Sequence, residues 1–121
     1  MARPSHVRDA VSGLLSERHA WTVDEAHGVL GERGVHADRA SVHRALVRLC
    51  DEGRAARFDV GDGRARFEAP GGHHEHIVCD KCGVVAAVPG CLVDEAVVAR
   101  RTGFAVSGHS LTLRGRCGEC A

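Results

Sequence analysis

The sequence predicts an α+β chain in two small parts: three helices closed by a hairpin of short strands, then a smaller unit of strands around one helix. Three observations carry that expectation. Apolar residues recur at helical spacing up to Gly53, the pattern then switches to alternation, and two CxxC pairs stand in the second half, at Cys79/Cys82 and Cys117/Cys120.

The elements follow in order. Residues 4–18 read as a helix with Val7, Val11, Leu14 and Leu15 on one stripe. Thr22 followed by Glu25 is a capping box, and Trp21 stands where a staple residue would, so a second helix is expected from Val23 to about Arg33, ended by Gly34. Asp38 is a good N-cap for a third helix that stops at Gly53. Val42, Ala45, Leu46, Leu49 and Cys50 form its buried stripe, and Arg39, His43, Arg44, Val47 and Arg48 lie off it. ARFDVGDGRARFE (56–68) holds two strands around a Gly61-Asp62-Gly63 turn. Three helices and such a hairpin describe a winged helix-turn-helix. Residues 69–72, Ala-Pro-Gly-Gly, read as a linker. Beyond it come strands at 77–79 and 84–88, a helix over about 92–101 and a strand at 110–116.

Composition narrows the function. The chain has 121 residues and zero formal net charge, which disfavours a purely electrostatic nucleic-acid binder but leaves a sequence reader open. No apolar run is long enough for a secretory signal or a membrane span, so a cytoplasmic protein without membrane contact is expected. Six cysteines in that setting are expected to be metal ligands or redox groups, not disulfides. One Trp, three Phe and no Tyr leave little to fill two half-size cores, a shortage that a structural metal and a dimer interface would both relieve.

The two CxxC knuckles are the sharpest chemical signal. A two-residue gap lets both thiolates of one tight turn face one point, and two knuckles close a tetrahedron with no open position, as in a structural zinc site. Two independent redox pairs are the alternative, and neither pair opens a helix in a βαβ unit as a thioredoxin-type pair does. Cys50 reads as a small buried hydrophobe. Cys91 has no partner by spacing and is open between an exposed thiol and an extra ligand. In HHEHIVC (73–79), an extended chain sends His73 and Glu75 to one side and His74 and His76 to the other, so one strand can serve two metal sites. Imidazole and carboxylate donors suit zinc, iron, manganese or nickel.

With ASVHRAL at 40–46, HHEHIVCDKCG at 73–83 and the terminal RCGEC, in that order, the chain resembles the ferric uptake regulator family of metal-dependent repressors along nearly its whole length. The resemblance implies a winged-helix DNA-binding domain at 1–69, a hinge at 70–72, and a small α/β dimerisation domain with a four-cysteine zinc site at 73–121. It implies a homodimer that binds double-stranded operator DNA when a divalent metal is loaded. Residue by residue, Cys79, Cys82, Cys117 and Cys120 match the structural zinc ligands. Glu68, His74 and His76 match the hinge site that senses metal, with His19 one position early for its fourth member. His73, Glu75, Asp94 and His109 match the site inside the dimerisation domain. Ser41, His43 and Arg44 match base-approaching positions, and Arg39, Arg48, Arg64 and Arg66 are candidate DNA contacts. Three departures stand out: His43 replaces the usual Tyr, Ala20 stands where the family has a helix-two His, and Ala87 where it often has an acid. The regulatory metal is expected to be iron-type or linked to oxidative stress, with a zinc-uptake regulator as the alternative. Two other classes compete, a zinc hydrolase with Glu75 as base and a zinc-ribbon interaction module. HHEH lacks the helical HExxH spacing of the first, and the second needs no winged helix. No enzymatic activity is expected.

Overall fold

The computed structural model describes residues 3–121; Met1 and Ala2, the first two residues of the expected first domain, lie outside them. The chain divides into two compact units, Met1–Gly71 and Gly72–Ala121.

Unit one begins with α1 (Pro4–Leu15), β1 (Trp21–Thr22), α2 (Val23–Glu32) and α3 (Arg39–Asp51), followed by β2 (Ala56–Asp59) and β3 (Ala65–Glu68). The apolar stripes read from the sequence meet in one core: Val7, Val11 and Leu14 of α1, Ala26 and Leu30 of α2, and Val42, Leu46 and Leu49 of α3, closed by Trp21 and Phe67. Cys50 packs at its edge, and burial pushes its thiol pKa up. α1 is shorter than the periodicity suggests and ends at Leu15.

The hairpin carries a third strand that the sequence reading missed. β1 pairs antiparallel with β3 in the order β1-β3-β2, with Trp21 opposite Phe67. Trp21 is therefore a strand residue, and its indole N–H donates to the Leu14 carbonyl at 2.8 Å, which satisfies its one polar atom inside the core. At the hairpin tip Gly61 and Gly63 adopt φ of 85° and 81°, a conformation that suits glycine.

Thr22 both ends β1 and caps α2. Its hydroxyl accepts the Glu25 N–H at 3.1 Å, and the Glu25 carboxylate accepts the Thr22 N–H at 2.8 Å. Partial burial raises the Glu25 pKa, but the Thr22 N–H and Arg18 outweigh it and leave the pKa lowered. Glu25 therefore adds stability above the ordinary glutamate range that fades as pH falls through its depressed value. Thr22 is itself buried. Thr22→Ala is expected to cost about 1 kcal/mol and to lower the melting point of unit one by roughly 4–8 °C, read by circular dichroism.

Unit two comprises β4 (Glu75–Cys79), β5 (Val85–Val88), α4 (Glu95–Thr102) and β6 (Thr112–Gly115), with strand order β5-β4-β6. β5 lies antiparallel to β4, and β6 runs parallel to it with Cys79 opposite Gly115. That register positions the metal chemistry, because it carries Cys117, two residues past Gly115, back beside Cys79. The knuckle between β4 and β5 turns at Gly83, whose φ is 79° and whose N–H donates to the Cys79 carbonyl at 3.0 Å. The unit has little interior: Glu75, Val78 and Cys79 are its buried residues, and α4 has none. Ile77 and Leu113, neighbours in register on one sheet face, are both exposed, and Phe104 is 74% exposed.

Candidate metal centres and the recognition helix

The Sγ atoms of Cys79, Cys82, Cys117 and Cys120 lie within 4.8 Å of one another. The Cys82 and Cys117 backbone N–H groups each donate to Cys79 Sγ at 3.4 Å, and they hold its pKa down at about 6. Cys120 is pushed up to about 12, chiefly by its hydrogen bond with Cys117. Four thiols packed this closely cannot all ionise against one another without a cation. With a dication they can, and an all-sulfur tetrahedral set with no open position is the chemistry of structural zinc.

A second group gathers His73, Glu75, Cys91 and His109, its donor atoms again within 4.8 Å of one another. Glu75 is fully buried, and its two oxygens lie 3.0 Å from His73 Nε2 and 3.3 Å from His109 Nε2. Those approaches are short enough for ion pairing but misaligned for hydrogen bonds, so neither oxygen has a hydrogen-bond partner among the described residues. A buried carboxylate in that state is costly unless a cation joins it. His109 Nδ1 pairs with Glu95 at 2.9 Å, which raises the His109 pKa and turns Nε2 toward the group.

The resemblance matches Asp94 to this group as well. Asp94 is not in it. Its carboxylate caps α4, accepting the Ala96 and Val97 N–H groups at 3.0 and 3.3 Å, and so is committed to satisfying a helix end. Cys91 stands in the group instead. Glu95, the residue orienting His109, was missed by the sequence reading, although an acid just inside a helix start was the available signal.

The residues matched to the hinge site fall in both units. In unit one His19 Nε2 lies 3.3 Å from Glu68 Oε2 at the end of β3, so a histidine one position early still reaches the wing. In unit two His74 Nε2 and His76 Nε2 lie 3.1 Å apart, and His74 Nδ1 meets the Gly72 carbonyl at 3.1 Å. With Nδ1 donating to that carbonyl, Nε2 is the acceptor atom of the His74 ring, and it lies against His76 Nε2.

α3 presents His43, Arg44 and Arg48 to solvent. Asp38 caps the helix through the Ser41 N–H at 2.7 Å, and the Ser41 hydroxyl accepts from Arg44 at 3.0 Å. Arg39 pairs with Asp24 at 2.6 Å and Arg48 with Glu52 at 2.9 Å, both in exposed positions where such pairs are weak and can be exchanged. Arg64 is exposed on the hairpin and lines a cleft together with Arg39 and His43. Arg66 differs: its side chain is 6% exposed and paired with Asp62 at 2.9 Å, so it braces the hairpin and does not reach outward. Arg8 of α1, not singled out from the sequence, lines a groove along α3 with Arg44 and Arg48.

A winged helix-turn-helix joined to a small unit of thiol and imidazole clusters defines a metal-responsive transcription regulator. The profile of the Ferric uptake regulator family matches residues 2–114. The ferric uptake regulation protein of Neisseria gonorrhoeae is 30% identical over 112 residues, covering 88% of this chain and 78% of the relative. The crystal structure of the Vibrio cholerae ferric uptake regulator superposes with a TM-score of 0.77 at 26% identity, covering 97% of this chain and 91% of that one. A zinc uptake regulator from M. tuberculosis gives 0.55 at 28% identity, over 98% of this chain and 95% of its own. The chain belongs to the ferric uptake regulator family.

Proposed function

We propose that this protein represses transcription as a homodimer that binds double-stranded operator DNA when a divalent metal joins its two domains, residues 1–69 and 73–121, across the hinge at 70–72. The observation that carries the reading is the placement of donor pairs on either side of that short hinge: His19 with Glu68, and His74 with His76. A divalent cation supplies the charge that lets these four donors share one point. Glu68 ends the wing and His74 opens the second domain, so their shared engagement fixes the angle between recognition helix and dimer. In a dimer that angle sets the distance between two recognition helices, which must match half-sites about 34 Å apart. A ligand can shift such an equilibrium only through its preference for one arrangement.

Cys79, Cys82, Cys117 and Cys120 serve as the structural zinc site, and the regulatory metal is of the iron type. Ser41, His43 and Arg44 approach the bases, while Arg39, Arg48 and Arg64 hold phosphates. Ile77 and Leu113, exposed neighbours on one sheet face, and the exposed Phe104 are apolar surface of unit two that a second copy would cover, which supports the homodimer. Among the described residues no helix is long and apolar enough to cross a membrane, and the reading places the protein in the cytoplasm with its DNA.

Sedimentation of the zinc-retaining protein with and without added iron(II) and a palindromic DNA library tests this function. Metal-dependent recovery of dimer–DNA complexes is expected. Recovery of monomer alone under every metal would overturn it.

A further inference from the structure

We propose that Cys91 is a metal ligand, and that it makes the group at His73, Glu75 and His109 a mixed nitrogen, oxygen and sulfur site selective for zinc-like, thiophilic cations. Its Sγ lies 3.5 Å from His109 Nε2 and within the same cluster of donor atoms. Three further features aim at the same point. Glu75 is fully buried with two oxygens lacking hydrogen bonds among the described residues. Glu95 fixes the ring of His109 so that Nε2 faces inward. Asp94, the carboxylate that would have made the site harder, is spent on capping α4.

The loop leading into Cys91 turns at Gly90, whose φ of 80° suits glycine, and this sets the thiol beside His109. The thiol donates to the Val93 carbonyl at 3.3 Å. On binding, Sγ gives up that proton to solvent as the sulfur–metal bond forms, so uptake releases a proton. Two imidazoles, a carboxylate and a thiolate complete a four-coordinate set. Thiolate favours zinc and cobalt over manganese and magnesium, which prefer oxygen donors. All four residues belong to unit two, so this site fills without any change across the hinge. The inference therefore stands whether or not the hinge pairs bind a regulatory metal.

Cobalt(II) reports thiolate ligation by a charge-transfer band in the near ultraviolet. The test titrates cobalt(II) into protein that keeps its four-cysteine zinc, using wild type, Cys91→Ser and Cys91→Asp, with zinc content measured before and after. Cys91 is exposed, so neither substitution disturbs the packed interior. A thiolate band is expected in the wild type, its full height corresponding to one thiolate-bound cobalt per chain beyond any that the hinge donors take, while the zinc count holds. Cys91→Ser should lose the band, and Cys91→Asp should bind cobalt without it. The preference for zinc over manganese should fall in Cys91→Asp by at least the roughly 10–100-fold that a lost outer-shell partner costs. An unchanged band in Cys91→Ser, or cobalt uptake by the wild type with no band, would overturn the proposal.

Discussion

Cys117→Ser is expected to unfold unit two while leaving unit one intact. The reason lies in how little interior the unit has. Its buried residues are Glu75, Val78 and Cys79, and α4 contributes none. β6 is held to β4 by its parallel ladder, and Cys117 follows directly where that ladder ends. Structural zinc in small domains is worth about 10–16 kcal/mol of apparent binding free energy, and that energy is folding energy. Losing one thiolate of four removes much of it from a unit with nothing to replace it. Unit one has a continuous core of α1, α2, α3, Trp21 and Phe67 and should not notice. Amide hydrogen exchange reads this directly: protection should vanish over 75–79 and 112–115 and persist over 42–49. A strong chelator applied to the wild type should give the same pattern. Full protection of β4 and β6 in the variant would mean that the four cysteines are not what holds this unit together.

Arg44→Ala is expected to produce the largest loss of DNA binding of any single exposed substitution. Arg44 is exposed on α3 and preset by its contact with Ser41, and the Asp38 carboxylate feels its charge. A specific base contact is worth about 1–3 kcal/mol, and a dimer loses it at both half-sites, so the total is roughly 2–6 kcal/mol. Arg48→Ala should behave differently. That side chain already shares Glu52, and a phosphate contact there would weaken all sequences alike and flatten the salt dependence by about one unit of log–log slope. Fluorescence anisotropy against specific and scrambled duplexes at several salt concentrations separates the two. Equal losses on both duplexes for Arg44→Ala would move it from base reader to phosphate contact.

What the sequence made legible was local. The Thr22/Glu25 box and the Asp38 cap are satisfied within three residues of each other, so spacing alone reveals them. The CxxC turns are local in the same sense. What it hid depends on contacts far apart along the chain. The two-residue β1 exists because Trp21 meets Phe67 on a strand formed much later, and nothing near Trp21 signals that pairing. Arg66 looked like its neighbour Arg64 until the hairpin turned Asp62 onto it. Asp94 and Cys91 lie three residues apart, and family pattern favoured the acid. The cap that Asp94 gives α4 is as local as that of Asp38, but the approach of Cys91 to His109 spans eighteen residues and has no signature short of the folded loop.

Control of DNA affinity by metal held at Glu68, His19, His74 and His76 is the central claim. The most direct test strips labile metal while keeping the four-cysteine zinc, then titrates iron(II), manganese(II), zinc(II) and nickel(II) during DNA binding, in wild type and in His76→Ala. One metal is predicted to switch on binding in the wild type, and His76→Ala should keep its structural zinc yet fail to respond. DNA affinity that is the same with and without every added metal, or a full response in His76→Ala, would contradict it.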